Sequence, residues 1–230
     1  MAKQNKSKQQ EQPKEKDIDQ PIAPLNETGA FLAANERWKE AQQAEKAAHE
    51  ADPNNNAAHY AETYKIYMKY VGLGTDLHGL HVIEIGPGHY PALQICTNYD
   101  QSMIIEPMFS KSVNDFVHGK DIILEPIGLE HINPEYLAAM LTGMPGTKEV
   151  WLFNVLQHVI DPDLFVKRCK YMADRIRFFE PINVPTSAHH PHTFTGDDYI
   201  NWFGVETKFY KGGTEPGFHT ADCAYGVWIK

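Results

Sequence analysis

Apolar side chains run without polar alternation at 80–85, 103–106, 121–124, 150–154 and 176–180. Unbroken hydrophobicity of this length is what strands covered on both faces show, so the pattern predicts a buried parallel sheet. Between these runs, Asn133-Pro134 and Asp161-Pro162 each set a capping side chain ahead of a proline that suits a first helical turn. Thr195-Gly-Asp-Asp198 repeats the capping pattern before Tyr199 to Phe203. The segments 205–210 and 222–229, joined by a glycine-rich turn from Gly212 to Gly217, predict a closing antiparallel pair. Strand and helix signals alternate, which predicts a doubly wound α/β layer, mostly parallel, with a C-terminal antiparallel hairpin.

Ahead of the first strand the period changes. Phe31, Ala34, Trp38, Ala41 and Ala48 recur at helical steps, Asp52 to Asn56 breaks the pattern, and Tyr60, Tyr64, Tyr67 and Val71 share one side of a second helix that Gly72 ends. These helices, 29–77, are expected either to cap the ligand mouth of the 78–230 α/β domain or to pack as ordinary core. Residues 1–28 mix both charge signs and nearly lack large apolar groups. Such a segment cannot repay the entropy of ordering and predicts a disordered tail, a place where a protein partner could be tethered.

The first strand ends in Glu84-Ile-Gly-Pro-Gly88, and a second apolar run ends in Glu106-Pro107. This predicts a strand, a glycine turn, a short helix and a second strand tipped with an acid. Gly86 and Gly88 allow positive φ and close approach of backbone to a ligand. Glu106, about twenty residues on, stands where a carboxylate accepts hydrogen bonds from ribose hydroxyls. A dinucleotide fingerprint needs a third glycine where this chain has Pro91, and no Gly-Lys-Ser/Thr follows for a P-loop. The acidic Glu84 before the turn suggests a ligand that carries positive charge.

Glu84-Ile-Gly86-Pro-Gly88, the acid Glu106 and the segment from Phe153 to Pro162 together resemble the class I S-adenosylmethionine-dependent methyltransferases over roughly residues 78–230. The resemblance implies a Rossmann-like sheet and S-adenosylmethionine as cofactor. It implies that Glu84, Gly86, Pro87 and Gly88 lie under the methionine portion and that Glu106 and Pro107 bind the ribose. On the adenine side, Glu125 competes with the stretch Ile127-Gly128. Asn154 and Gln157 are expected to orient the donor's amino group or the substrate, with Gln157 assigned to the substrate. His158 is the candidate base, because it follows the fourth strand at the edge where ligands bind and titrates near neutrality. His189 and His192 are expected at the acceptor pocket. The cluster His189-His-Pro-His192, with His219 and Asp222 further on, offers metal-ligating side chains, but its adjacent histidines and the lack of carboxylates at Asn154 and Gln157 favour no metal. Methyl transfer to a small-molecule or polar acceptor at oxygen or nitrogen follows from the resemblance. Tyr90 in place of a third loop glycine keeps two alternatives: a non-catalytic binding or scaffolding protein, and non-methyl-transfer chemistry on the same cofactor.

Composition narrows the setting. With 230 residues, 42% of them hydrophobic, the chain can bury one sizeable core. A formal charge of -9 argues against nucleic acid as a partner. Cys96, Cys169 and Cys223 are an odd count in apolar segments, so reduced thiols and a cytoplasmic location are expected. No apolar run approaches a membrane span of roughly 18 residues.

Overall fold

The structure, a computed structural model, describes residues 29–52, 55–108, 110–204 and 206–230. The expected disordered tail, 1–28, lies outside the described residues, as do Pro53 and Asn54 of the break between the first two helices. Two helices lead, α1 (Gly29–Ala51) and α2 (Ala57–Tyr70). The strands are β1 (Leu80–Ile85), β2 (Ser102–Ile105), β3 (Ile122–Glu125), β4 (Thr147–Phe153), β5 (Arg175–Pro181), β6 (Lys208–Tyr210) and β7 (Cys223–Ile229). Between them lie α3 (Lys111–Val117), α4 (Pro134–Thr142), α5 (Pro162–Met172) and α6 (Gly196–Phe203).

The strands form one sheet in the order β3-β2-β1-β4-β5-β7-β6. β1 to β5 are parallel, β7 runs antiparallel to β5, and β6 antiparallel to β7. The chain winds outward from β1 to β3, then starts again at β4 on the other side of β1. The carboxyl ends of β1 and β4 therefore diverge at a switch point, where open α/β sheets leave a crevice.

Successive side chains of a strand point to opposite faces, and the core divides accordingly. Ile83, Ile85, Val150, Leu152, Ile176 and Phe178 pack with Leu137 of α4, Phe165, Val166 and Cys169 of α5 and Tyr199 and Phe203 of α6. Val82, Ile104, Trp151, Phe153 and Phe179 face the other way, against Tyr64, Tyr67, Met68 and Val71 of the α2 segment. The capping signals hold: Asn133 Oδ1 accepts from the N–H of Glu135 and Tyr136, and Asp161 Oδ1 accepts from Leu164 N–H. Thr195 N–H donates to Asp198 Oδ2 at 2.7 Å, closing the first turn of α6.

One expected element is reduced. The short helix after the glycine turn is a single 3-10 turn, Ala92–Ile95. Glu84 takes the N–H groups of Ala92 and Leu93 at 2.5 and 3.0 Å. The chain then runs from Cys96 to Gln101 before β2 begins at Ser102.

Candidate functional site

A cavity of about 810 Å³ opens at the carboxyl edge of β1, β2 and β4. Its floor begins with Gly86, Pro87 and Gly88. Gly86 has φ 62° and Gly88 φ 65°, values that glycine adopts without strain. A Cβ on Gly86 would stand 2.3 Å from Val155 Cγ2, so the loop after β1 and the loop after β4 touch there. Asn154 also has positive φ, 63°, held by its N–H donating to the Phe179 carbonyl at 3.0 Å. Gly128 and Leu129 line the far end, beside Trp38 of α1.

Buried carboxylates pin the loops around the cavity. Glu106 accepts from Gly88 N–H and Met108 N–H, each at 2.6 Å, and burial raises its pKa to about 7 against the pull of those two bonds. Glu180, at the end of β5, accepts from Val155 and Leu156 N–H, and burial raises it to about 8. Glu130 accepts from Ile160 N–H at 2.8 Å. Glu84, 2% exposed, belongs to this group: both oxygens are engaged by backbone beneath the turn, and burial raises it to about 8. It shapes the glycine turn from below and does not border the cavity, which corrects the expectation that it meets a ligand directly.

His158 lines the cavity with Nδ1 at 2.9 Å from the His189 carbonyl. A carbonyl only accepts, so Nδ1 carries the proton and Nε2 keeps a lone pair. Burial lowers the His158 pKa, which keeps the ring neutral at pH 7. Glu45 Oε2 stands 3.5 Å from the same Nδ1, while Glu45 Oε1 pairs with His49 Nε2 at 3.0 Å and His49 Nδ1 meets the Tyr60 hydroxyl at 3.0 Å. Tyr60, His49, Glu45 and His158 thus form a polar chain along the cavity wall. Burial acts to raise the Glu45 pKa, but the His49 hydrogen bond and the His158 charge outweigh it and hold the carboxyl below its ordinary range. The Glu45 hydrogen bond raises the pKa of His49. Glu45, His158 and His190 each bring one ligand-capable atom within 4.8 Å of the others, a carboxylate and two imidazoles of the kind that can take a zinc-like ion.

Among the sequence candidates, Gly86, Pro87, Gly88, Glu106, Pro107, Gly128, Asn154 and His158 line this cavity together. Glu125 lies apart, accepting from the Tyr136 hydroxyl at 2.9 Å, so Gly128 is the contribution from beyond β3. Gln157, His189 and His192 do not line it. Gln157 is 2% exposed, packed beneath the loop. His189 supplies its carbonyl to His158, and His192 Nε2 meets the Val159 carbonyl at 2.7 Å.

Of the roof, periodicity names Trp38, Tyr60, Tyr64 and Tyr67 but not Gln42, Glu45, His49 or Thr63. Trp38, Gln42, Glu45 and His49 of α1 and Tyr60, Thr63, Tyr64 and Tyr67 of α2 complete the lining. Positions 38, 42, 45 and 49 lie on one helical stripe; Trp38 belongs also to the apolar stripe that periodicity names, and Gln42, Glu45 and His49 flank it. Their mixed polarity at regular spacing was the available signal.

No protein-family model matches the sequence, and no curated protein matches it. Solved structures do match. A 1,6-didemethyltoxoflavin-N1-methyltransferase from Burkholderia thailandensis, crystallised with 1,6-didemethyltoxoflavin and S-adenosylhomocysteine, has TM-score 0.53 and 12% identity over 90% of this chain and 92% of that one. An S-adenosylmethionine-dependent methyltransferase from Leishmania major has TM-score 0.52 and 14% identity over 93% and 87%. The N-methyltransferase NodS from Bradyrhizobium japonicum, in complex with S-adenosylhomocysteine, has TM-score 0.51 and 8% identity over 88% and 99%. At these identities the likeness is one of fold. The chain has the sheet and helix arrangement of the class I S-adenosylmethionine-dependent methyltransferases.

Proposed function

We propose that this chain is an S-adenosylmethionine-dependent methyltransferase acting on a small-molecule or polar acceptor at oxygen or nitrogen. One observation carries the reading: the cavity lies at the switch point of the sheet, with the glycine turn after β1 and the acid Glu106 after β2 lining it together. The structural neighbours crystallised with S-adenosylhomocysteine support it.

The residues suit the cofactor. Each oxygen of Glu106 receives one N–H bond, which leaves lone pairs for a ribose diol. Gly86, Pro87, Gly88 and Asn154 would lie along the methionine portion, Pro107 beside the ribose, and Gly128 with Leu129 at the adenine. When bound, S-adenosylmethionine supplies an electrophilic methyl group on a sulfonium sulfur. The protein's part is then to align the acceptor and, where the acceptor carries a proton, to remove it. His158 Nε2 is the proposed base, with the His189 carbonyl fixing the tautomer through Nδ1. Residues 29–77 are the proposed cap, α1 and α2 shielding the reacting groups from water.

Among the described residues no helix is long and apolar enough to cross a membrane. Cys96, Cys169 and Cys223 are free and buried, and a cytoplasmic setting belongs to the same proposal. Isothermal titration with S-adenosylhomocysteine is the test. Saturable binding is expected, and no heat at high micromolar ligand would overturn the reading.

A further inference from the structure

The acceptor half of the cavity carries its own chemical signature. Gln42 and Glu45 stand three residues apart on α1, and both line the cavity. Gln42 Oε1 and Glu45 Oε2 are buried atoms with no hydrogen-bond partner among the described residues. Two neighbouring acceptors shielded from water and lacking a donor are costly unless a ligand brings one. The protein's nearest donor is already committed, since His158 Nδ1 gives its proton to the His189 carbonyl.

Charge agrees. The lining holds Glu45, Glu106 and Glu130 and, among the described residues, no lysine or arginine. Glu106 and Glu130 take backbone N–H groups, whereas Glu45 keeps an oxygen free. Aromatic rings of Trp38, Tyr60, Tyr64, Tyr67 and Phe153 share the lining. A carboxylate among aromatic rings favours an organic cation and repels an acid or a phosphate.

We propose, building on the methyltransferase reading, that the methyl acceptor is an amine that arrives as its ammonium, donating N–H bonds to Gln42 Oε1 and Glu45 Oε2. His158 Nε2 then takes one ammonium proton and becomes imidazolium, and the amine is left with the lone pair that methylation needs. Glu45 lies beside His158 to stabilise the imidazolium. A metal ion on Glu45, His158 and His190 is the rival occupant. The ammonium fits better because His190 does not line the cavity, and because the aromatic walls and the amide oxygen of Gln42 do nothing for a zinc-like ion.

The test is isothermal titration of the full chain, saturated with S-adenosylhomocysteine, against phenethylamine, phenethyl alcohol and phenylacetate, with circular dichroism melts confirming that each variant folds. The amine is expected to bind roughly tenfold more tightly than the alcohol, equivalent to about 1.4 kcal/mol, and phenylacetate not to bind. Glu45→Gln should erase the amine's advantage while leaving S-adenosylhomocysteine affinity unchanged, and Gln42→Leu should reduce it. The inference is overturned by no amine binding, by equal affinity for amine and alcohol, or by a preference that survives Glu45→Gln. It is also overturned if Glu45→Gln weakens S-adenosylhomocysteine in step with the amine, which would assign the carboxylate to the donor. Stoichiometric zinc binding that Glu45→Gln and His190→Ala both abolish would assign the cluster to a metal instead. Should S-adenosylhomocysteine itself fail to bind, the methyltransferase reading falls, and titration of the ligand-free chain still decides whether the pocket prefers the cation.

Discussion

Gly86 and Gly88 share the same backbone region, yet a methyl group meets different surroundings at each. Gly86 at φ 62° would set its Cβ 2.3 Å from Val155 Cγ2, whereas at Gly88, φ 65°, the nearest atom is His49 Cε1 at 3.8 Å. Gly88→Ala should cost about 1 kcal/mol for the left-handed backbone alone. Gly86→Ala should cost roughly 3 kcal/mol, because the loop after β4 must also move. Urea denaturation of both variants checks the ranking, and equal losses would refute it. At His158 the prediction is kinetic: His158→Gln should lower kcat by about 10² to 10⁴ with S-adenosylhomocysteine affinity unchanged. With His158 intact, the proposed activity should have the acid limb of its kcat profile below the ordinary imidazole midpoint, since burial lowers that pKa. Glu106→Ala should weaken S-adenosylhomocysteine, but not on an unperturbed scaffold. It strands the N–H groups of Gly88 and Met108, at a cost of about 1–3 kcal/mol each where buried, so a lower Tm should accompany the lost affinity. The glycines, Glu106 and His158 were legible as cavity-lining positions because they sit at set spacings after β1, β2 and β4. Glu84 shows the limit of that reading: an acid before a glycine turn reads the same whether it lines a cavity or, as here, accepts the N–H groups of Ala92 and Leu93 in the 3-10 turn that follows.

At the scale of elements, α1 and α2 resemble each other in sequence pattern but not in what they do. α2 brings Tyr64, Tyr67 and Met68 into the core on one face of the sheet, and Tyr64 and Tyr67 line the cavity as well. The same rings are therefore both core and cavity lining. Among the residues of α1 whose side chains are described, Ala41 belongs to the buried apolar set, and Trp38, Gln42, Glu45 and His49 line the cavity. Removal of residues 1–51 should accordingly leave a folded chain whose Tm falls by a few degrees, since little buried apolar area is lost. Removal through residue 71 should unfold it. Calorimetry of the two truncations distinguishes them, and a comparable collapse in both would show α1 to be part of the core. Strand positions were legible to within a few residues because buried parallel strands are continuously apolar. What periodicity could not supply was which stripe of α1 faces the cavity, as helical spacing names faces and not their partners. At the first crossover, Glu84 accepts the Ala92 and Leu93 N–H groups, a tertiary contact with no local signature.

Across the whole molecule, the carboxyl edge of the sheet is held by buried acids that accept backbone N–H groups, and this shapes its response to pH. Burial raises Glu84 and Glu180 to about 8 and Glu106 to about 7, while an unfolded glutamate titrates near 4.3. Between those values the native state holds protons that the unfolded chain has released. The stabilisation is complete below the unfolded pKa and is lost as pH rises through the folded one, at about 1.4 kcal/mol per group per pH unit. Several histidines work in the opposite direction. Burial depresses His158, His89, His131 and His192, and takes His190 and His219 to about 4. As pH falls through about 6.5 the unfolded chain protonates these rings and the native state does not, so stability drops on the acid side. Below about 6.5 the six depressed histidines outnumber the four raised carboxylates, Glu130 included, together with the one raised histidine, His49, and above it only the carboxylates and His49 act. The ligand-free protein should therefore be most stable near pH 6.5, with Tm falling toward pH 8 and falling again toward pH 5. Calorimetry in buffers of matched ionic strength measures this. Glu84→Gln should flatten the alkaline limb because it removes one titrating group, while the acid limb keeps its slope. A Tm that stays level or rises from pH 6.5 to 8 would mean that the buried carboxylates are already ionised, their charge carried by the loop N–H groups aimed at them.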